Sequence, residues 1–156
     1  METKLKSQKI ALVASSGGHL FQLNSLKDFW GDKNYFWVSF KTQDAEYLLK
    51  DEQVYWANYP TNRNIKNLIK NFFLARKILK KEKPTHVMST GAGVAVPFFL
   101  WAKIMGIKTL YLESITRSNE LSLTGRLIYK FANKVLVQWP HLADKYKKTE
   151  FHGRII

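Results

Sequence analysis

A short apolar run that ends in two glycines constrains the fold more than any other feature of this sequence. Residues 10–14 are all apolar, and residues 15–19 follow as Ser-Ser-Gly-Gly-His. Such a run predicts a parallel strand that is covered on both faces. A helix predicted over residues 20–29 would begin just after the glycines, which let the backbone turn sharply. The turn is therefore either an anion site with His19 at its lip, or a plain strand-to-helix turn with a solvated His19.

The spacing of these glycines excludes two common nucleotide-binding loops. A dinucleotide fingerprint needs Gly-x-Gly-x-x-Gly with an acidic residue about twenty positions later, and a P-loop needs Gly-Lys followed by Ser or Thr. Neither pattern is present. The sequence also contains no Asp-x-Asp pair. We therefore expect this chain to bind no metal and no cofactor.

The rest of the chain alternates between strand and helix patterns. This alternation predicts a single α/β domain over residues 1–156, Rossmann-like and three-layered, with a mostly parallel sheet. Pro140 is expected to close the sixth strand, and a short final strand is expected in the basic tail over residues 146–156. The other predicted strands are 35–40, 54–57, 85–89, 108–112 and 134–138, and the other predicted helices are 43–50, 64–83, 94–105 and 122–132.

Three of the predicted strands end in residues that suit a binding site. The first ends in the turn at residues 15–19, the fourth in a second glycine turn at residues 90–93, and the fifth in Glu113 and Ser114. The carboxyl ends of parallel strands meet at one edge, where open α/β sheets bind ligands. Glu113 is expected there as a general base or a sugar-hydroxyl ligand, or alternatively as the partner of a lysine at the rim.

The charge is strongly positive and unevenly distributed. The formal net charge is +13, and residues 53–112 hold ten Lys or Arg but one acid, Glu82. The helix predicted over residues 64–83 has Ile65, Leu68, Ile69, Phe72, Phe73, Arg76 and Leu79 at helical spacing. Either this stripe is buried and the lysines are solvated, or the helix lies on an anionic membrane. Membrane contact is the role we favour for the lysines.

Two further properties limit where the chain can act. It contains no cysteine, which excludes disulfides and thiol-based zinc or redox sites and is compatible with a reducing compartment. Its longest apolar stretch, residues 92–102, is too short to span a bilayer. The charge is therefore expected to meet nucleic acid, a membrane surface or a phosphorylated substrate.

Six short motifs are informative when they are read together, namely Ser16-Gly-Gly-His19, Thr90-Gly-Ala-Gly93, Tyr111-Leu-Glu-Ser114, Leu121-Ser-Leu-Thr-Gly125, Val137-Gln-Trp-Pro140 and Lys145-Tyr146. Over nearly the whole chain they resemble one family, the asparagine-linked glycosylation protein 14 family with its bacterial capsule and exopolysaccharide relatives. The resemblance implies the N-terminal half of a glycosyltransferase of the B fold, similar to that of the peptidoglycan glycosyltransferase MurG. In the family, the half that binds the UDP-sugar is a separate polypeptide.

The resemblance also implies roles for individual residues and partners. The chain is expected to bind a saccharide on a lipid pyrophosphate, while the partner subunit binds the UDP-sugar. Because the N-terminal membrane anchor of eukaryotic members is not recognisable here, attachment is expected to be peripheral, on the inner face of the plasma membrane. His19 and Glu113 are the two alternatives for the general base. The expected acceptor and phosphate ligands are Ser16, Gly17, Gly18, Thr90, Gly91, Gly93, Ser114 and Arg117, and the expected membrane-facing residues are Lys66, Lys70, Phe73 and Lys77.

Two other classes of function compete with this interpretation. A basic peripheral-membrane or nucleic-acid-binding module without catalysis would use the charge and the aromatic residues, but it gives the glycine turns no role. A stand-alone nucleotide-dependent enzyme would need its donor site within 156 residues, and no second nucleotide fingerprint is present. We therefore expect a glycosyltransferase subunit that does not bind nucleic acid and has little activity without its partner.

Overall fold

The computed structural model describes residues 8–155, which alternate between strands and helices. In chain order the elements are β1 (Lys9–Ala14), α1 (Gly18–Asn24), α2 (Lys27–Trp30), β2 (Asn34–Phe40), α3 (Gln43–Leu48), β3 (Val54–Ala57), α4 (Ile65–Glu82), β4 (His86–Gly91), α5 (Ala95–Met105), β5 (Lys108–Leu112), α6 (Leu123–Tyr129), β6 (Lys134–Val137), α7 (Pro140–Lys145) and β7 (Thr149–Phe151).

The strands form one sheet in the order β3-β2-β1-β4-β5-β6-β7, and every neighbouring pair is parallel. Successive residues of β1 pack on opposite faces, because side chains alternate along a strand. Ala11 and Val13 join the core formed with α4, α5 and α6, while Ile10 and Leu12 join the core formed with α1, α2 and α3. The predicted three-layer α/β fold is therefore confirmed.

The strand order reverses between β1 and β4. From β1 the chain builds outward through β2 and β3, and it then returns to place β4 on the other side of β1. At such a switch point the loops after the two central strands diverge, which leaves a crevice at the carboxyl edge of the sheet. The turns at residues 15–19 and 90–93 follow these two strands.

One predicted helix differs from the observed structure, and one observed helix has no predicted counterpart. The single helix predicted over residues 20–29 is two short helices, because the Ser25 hydroxyl donates to the carbonyl oxygen of Phe21 at 2.8 Å and competes with the continuing helix. Helix α7 was not predicted. Pro140 begins this helix at its first position, where a missing N–H is harmless, rather than simply ending β6.

Helix α4 corrects the idea that its apolar stripe lies in the core. Ile65, Ile69 and Phe73 are exposed, by 73%, 52% and 64% respectively. The polar Asn71 is fully buried instead, because its side-chain amide pairs with the backbone N–H and C=O of Asn58, at 2.8 and 2.9 Å. Satisfying that buried loop backbone turns the N-terminal half of the stripe toward solvent.

Within residues 8–155, no helix combines the length and hydropathy that crossing a bilayer requires.

Candidate functional site

A cleft of about 800 Å³ lies at the carboxyl edge of the sheet, at the switch point. Its walls come from the turns after β1 and β4, from residues 113–117 after β5, from the loop before α4 and from α6. Seven residues of the predicted site line this cleft, namely Ser16, Gly18, His19, Gly93, Glu113, Ser114 and Arg117. Segments far apart in sequence are thus brought to one site.

The remaining predicted residues lie beside or outside the cleft. Thr90 and Gly91 are buried behind His19, and Gly17 is exposed at the start of α1. The four residues predicted to face a membrane lie on the exposed surface of α4 and do not line the cleft; they are Lys66, Lys70, Phe73 and Lys77.

The orientation of His19 is set by the end of β4. Its Nδ1 lies 3.0 Å from the carbonyl oxygen of Thr90, and the Thr90 hydroxyl donates to the carbonyl oxygen of His19. Because a carbonyl oxygen only accepts, Nδ1 carries the proton. In the neutral imidazole this leaves Nε2 as a proton acceptor. His19 is half-buried, so a basic nitrogen is held at the cleft wall.

Gly91 provides the space that His19 occupies. A Cβ atom on Gly91 would lie 2.8 Å from His19 Nδ1, closer than carbon and nitrogen can pack. Its φ of +132° is also a conformation that residues with a side chain rarely adopt. The second glycine turn therefore positions the histidine that follows the first one.

The Gly17 N–H, in the turn after β1, already has an anionic partner. Gly17 N–H donates to Asp44 Oδ2 at 2.8 Å, so a carboxylate from α3 caps the start of α1. Sequence reasoning did not find Asp44, since no local pattern links residues 27 positions apart. An anion that binds at Gly17 would have to displace this carboxylate.

Glu113 is fully buried and its carboxylate is saturated with hydrogen bonds. Oε2 accepts from Ser122 N–H at 2.8 Å, Oε1 accepts from Ser114 N–H at 3.0 Å, and the Ser122 hydroxyl donates as well. Ser122 in turn caps α6, since its Oγ accepts from Gly125 N–H at 2.9 Å. Glu113 thereby fixes both ends of the loop over residues 114–122.

Three further neighbours surround Glu113. A Cβ on Gly125 would lie 2.1 Å from Glu113 Oε2, so only glycine fits there. Burial, and then the charge of Glu113, raises the pKa of Tyr111, so its hydroxyl stays protonated and points a donor at Glu113 Oε1 at 3.5 Å. Gln138 Nε2 donates to the backbone carbonyl of Glu113 at 3.0 Å. Ser122 and Gln138 lie in two of the recognised motifs, but their role appears only in three dimensions.

The described residues, 8–155, include no cluster of three or more His, Asp or Glu side chains placed to hold a metal ion.

Comparison with solved structures identifies the fold. MurG from Acinetobacter baumannii superposes with a TM-score of 0.77 and 20% identity, over 96% of this chain and 47% of MurG. A UDP-GlcNAc 2-epimerase from Methanocaldococcus jannaschii superposes with a TM-score of 0.71 and 12% identity, over 92% of this chain and 45% of the epimerase. The chain thus spans about half the length of these proteins, which confirms the predicted half of a glycosyltransferase B fold.

Comparison of sequences identifies the family. Proteins named UDP-N-acetylglucosamine transferase subunit ALG14 align from Yarrowia lipolytica, with 29% identity over 98% of this chain and 71% of the relative, and from Homo sapiens, with 26% identity over 99% and 86%. The family described as "Oligosaccharide biosynthesis protein Alg14 like" matches residues 57–155, which include β4, β5 and α6 with their cleft residues. The resemblance drawn from the motifs is confirmed, and the chain belongs to the Alg14-like family of oligosaccharide biosynthesis proteins.

Proposed function

We propose that this protein is the acceptor-binding subunit of a two-component UDP-N-acetylglucosamine transferase, acting on a saccharide linked to a lipid pyrophosphate. The observation that carries this proposal is the alignment with transferase subunits over 98–99% of the chain. The cleft supports it, because it lies where open α/β sheets bind ligands and presents a basic nitrogen, hydroxyls and backbone groups.

The chemistry assigned to this chain is proton removal. The acceptor hydroxyl attacks C1 of the donor sugar, a new C1–O bond forms, and the bond from C1 to the UDP oxygen breaks. His19 Nε2 takes the hydroxyl proton as the bond forms, and the Thr90 carbonyl stabilises the resulting imidazolium through Nδ1–H. UDP leaves with the electron pair of the broken bond. General-base catalysis of this kind contributes about 10²–10⁴-fold to the rate.

Between the two predicted bases, the contacts favour His19. Glu113 accepts hydrogen bonds from Ser114 and from the N–H and hydroxyl of Ser122, and its side chain is fully buried. Both carboxylate oxygens are therefore engaged within the protein, and neither is exposed to a substrate hydroxyl. We assign Glu113 to positioning, because it holds the loop that carries Ser114 and Arg117 at the cleft wall.

The acceptor is proposed to lie along this cleft. Ser16, Ser114 and the backbone at Gly18 and Gly93 offer hydrogen bonds for saccharide hydroxyls. One wall is apolar, formed by Leu68 of α4, Val96 of α5 and Leu123 and Leu127 of α6. Leu68 and Leu123 are also exposed, so the wall continues onto the outer surface. A lipid attached to the saccharide has an apolar path out of the cleft.

The donor sugar is proposed to bind to a partner subunit. The relatives are named as subunits, and MurG and the epimerase are about twice as long as this chain. The carboxyl edge presented here is open, so the second half of a glycosyltransferase B fold would close the cleft from the other side.

Helix α4 is proposed to rest on an anionic membrane surface, as a peripheral contact. Ile65, Ile69 and Phe73 form an exposed apolar edge, and Lys66 and Lys70 lie beside them on the same helix. An apolar edge flanked by lysines suits the boundary between lipid headgroups and acyl chains. Since Leu68 of the same helix lines the cleft, this contact would bring the cleft to the membrane that holds the acceptor.

Reconstitution tests the proposed function. The purified chain, a candidate UDP-sugar-binding subunit, and the two together are each given radiolabelled UDP-N-acetylglucosamine and a short-chain lipid pyrophosphate saccharide. We expect transfer to the lipid in the mixture and little in either component alone. Full transfer by this chain alone would refute the division of labour, and no transfer with any such subunit would refute the function.

A further inference from the structure

Two arginines in the cleft have no partner among the described residues. The side chains of Arg63 and Arg117 line the cleft, but neither makes an ion pair or a hydrogen bond within residues 8–155. The other three arginines of the chain are engaged: Arg126 pairs with Glu120, Arg154 donates to the carbonyl of Gln138 and stacks on Trp139, and Arg76 stacks on Trp101. The two free guanidinium groups thus both occur in the cleft.

The backbone at Arg63 is strained. Its φ is +53°, in the left-handed region that a residue with a long side chain rarely occupies. The loop around it is held firmly, because Asn58 pairs with the buried Asn71, and Asn67 Nδ2 donates to the carbonyl of Pro60 at 2.8 Å. Asn64 then caps α4 through Asn67 N–H. A strained residue kept in place by its neighbours is expected where function requires it.

The charged residues that line the cleft favour the binding of an anion. Glu113 is the one acidic residue in its lining, and its carboxylate already accepts hydrogen bonds from the protein. The turn after β1 offers one donor fewer, because Gly17 N–H is bonded to Asp44. Arginine binds phosphate oxygens through two parallel N–H donors, and two guanidinium groups match the charge of a diphosphate.

The position of Arg63 also fits an anion that carries a lipid. Arg63 lies five residues before Leu68, which belongs to the apolar wall formed with Leu123 and Leu127. Charged and apolar groups are therefore adjacent along one side of the cleft. The saccharide side, with His19, lies toward the turn after β1.

We propose that Arg63, together with Arg117, binds the diphosphate of the acceptor. Arg63 is thus an acceptor-binding residue that sequence reasoning did not find, since one arginine in a polar loop carries no pattern. The inference rests on the proposed function for the identity of the ligand. Two arginines could bind the diphosphate of UDP equally well. The experiment therefore distinguishes the diphosphate of the acceptor from that of the donor.

The decisive variant is Arg63→Gly, because glycine removes the guanidinium and relieves the strained φ. We expect its thermal unfolding temperature to equal or exceed that of the wild type, which removes misfolding as an explanation. In the reconstituted complex, KM for the lipid pyrophosphate acceptor should rise about tenfold or more, because the diphosphate loses a charged hydrogen-bond donor. We expect kcat and KM for the UDP-sugar to change little. Arg126→Gln, which removes an equal charge outside the cleft, should leave the acceptor KM unchanged.

A binding experiment on the chain alone makes the inference independent of activity. Inorganic pyrophosphate is titrated into wild type, Arg63→Gly, Arg117→Gln and Arg126→Gln, with backbone NMR shifts as the readout. In the wild type we expect saturable chemical-shift changes around both cleft arginines. These changes should be lost in Arg63→Gly and Arg117→Gln and kept in Arg126→Gln. Unaltered pyrophosphate binding by Arg63→Gly, or no binding by the wild type, overturns the inference.

Two further outcomes distinguish the acceptor diphosphate from UDP, and the diphosphate site from the proposed transferase function. A rise in the UDP-sugar KM without a rise in the acceptor KM would assign the arginines to the donor and overturn the inference. Pyrophosphate binding that depends on Arg63, in a protein that supports no transfer with any partner, would refute the proposed function and leave the diphosphate site standing.

Discussion

The two edges of the sheet carry similar polar side chains but use them in opposite ways. At the amino edge, Glu82 accepts from Lys9 Nζ at 2.5 Å, from Gln53 Nε2 at 3.1 Å and from the Tyr55 hydroxyl. Each group in this cluster has a partner within the protein. The cluster ties the end of α4 to β1 and β3.

At the carboxyl edge, several groups are left for a ligand. His19 keeps Nε2 available, and Arg63 and Arg117 are unpaired within residues 8–155. Glu113 is the exception, since it is saturated in the same way as Glu82. The paired polar groups at the amino edge stabilise the fold, and the unpaired groups at the carboxyl edge are available to bind a ligand. Variants at matched positions test this contrast.

The largest effect is expected from His19→Gln at the carboxyl edge. Loss of the basic Nε2 should lower kcat of the reconstituted transferase by about 10²–10⁴-fold, with little change in the unfolding temperature, because the side chain is half-buried and makes one hydrogen bond. The matched control is His86→Gln at the amino edge, where the ring contacts the Thr85 hydroxyl. Comparable losses of kcat in both variants would contradict the contrast between the edges.

Glu113→Gln should act through structure. The new amide NH₂ would face donors from Ser114 and Ser122, so we expect a loss of about 2–4 kcal/mol in the free energy of unfolding. Activity of the folded fraction should fall less than for His19→Gln, and the acid limb of the pH–rate profile should keep its midpoint. An unchanged unfolding temperature together with a 10³-fold lower kcat would restore Glu113 as the base.

Gly125→Ala tests the packing around the Glu113 carboxylate from the side of α6. Its Cβ would be placed 2.1 Å from Glu113 Oε2, so we expect destabilisation by about 1–3 kcal/mol in chemical denaturation. Gly18→Ala is the steric control, since no atom lies within 4 Å of its added Cβ. Equal stability of both alanine variants would show that the Glu113 cluster tolerates displacement.

The features that the sequence predicts correctly depend on residues that are close together along the chain. Strand β1 was found because its continuous apolar residues reflect burial on both faces, and β3 was predicted at its observed bounds, residues 54–57. The grouping of His19 with Glu113 followed from topology, since both come after parallel strands. These are regularities of period and order along the chain.

The features that were missed depend on contacts between distant residues. Asn71 turns α4 because it pairs with Asn58, and Asp44 occupies Gly17 N–H across 27 positions. The saturation of Glu113 needs Ser122 to fold back onto it. Burial and hydrogen bonding decide such roles, and residue type alone cannot distinguish a base from a structural carboxylate.

A smaller effect is expected for the basic surface of α4. Replacing Lys66 and Lys70 together by glutamate should weaken sedimentation with anionic phospholipid vesicles by about tenfold or more, because each lysine near such a surface contributes about 1 kcal/mol. Lys147→Glu with Lys148→Glu is the control, with the same charge change on exposed residues far along the chain. Equal losses for both pairs, or tighter binding of the wild type to duplex DNA than to vesicles, would count against a membrane contact at α4.

The smallest effect is expected at the amino edge, for Glu82→Gln. The Lys9 ammonium and then the Tyr55 hydroxyl hold the pKa of Glu82 below its ordinary value of 4.5. The stability from this lowered pKa is present above about pH 4.5 and is lost as the pH falls through the folded-state pKa. Glu82→Gln should therefore cost about 1 kcal/mol at pH 7 and progressively less in acid, as followed by thermal unfolding. Transfer activity at pH 7 should be unchanged, and a loss of activity without a loss of stability would mean that the amino edge also serves the reaction.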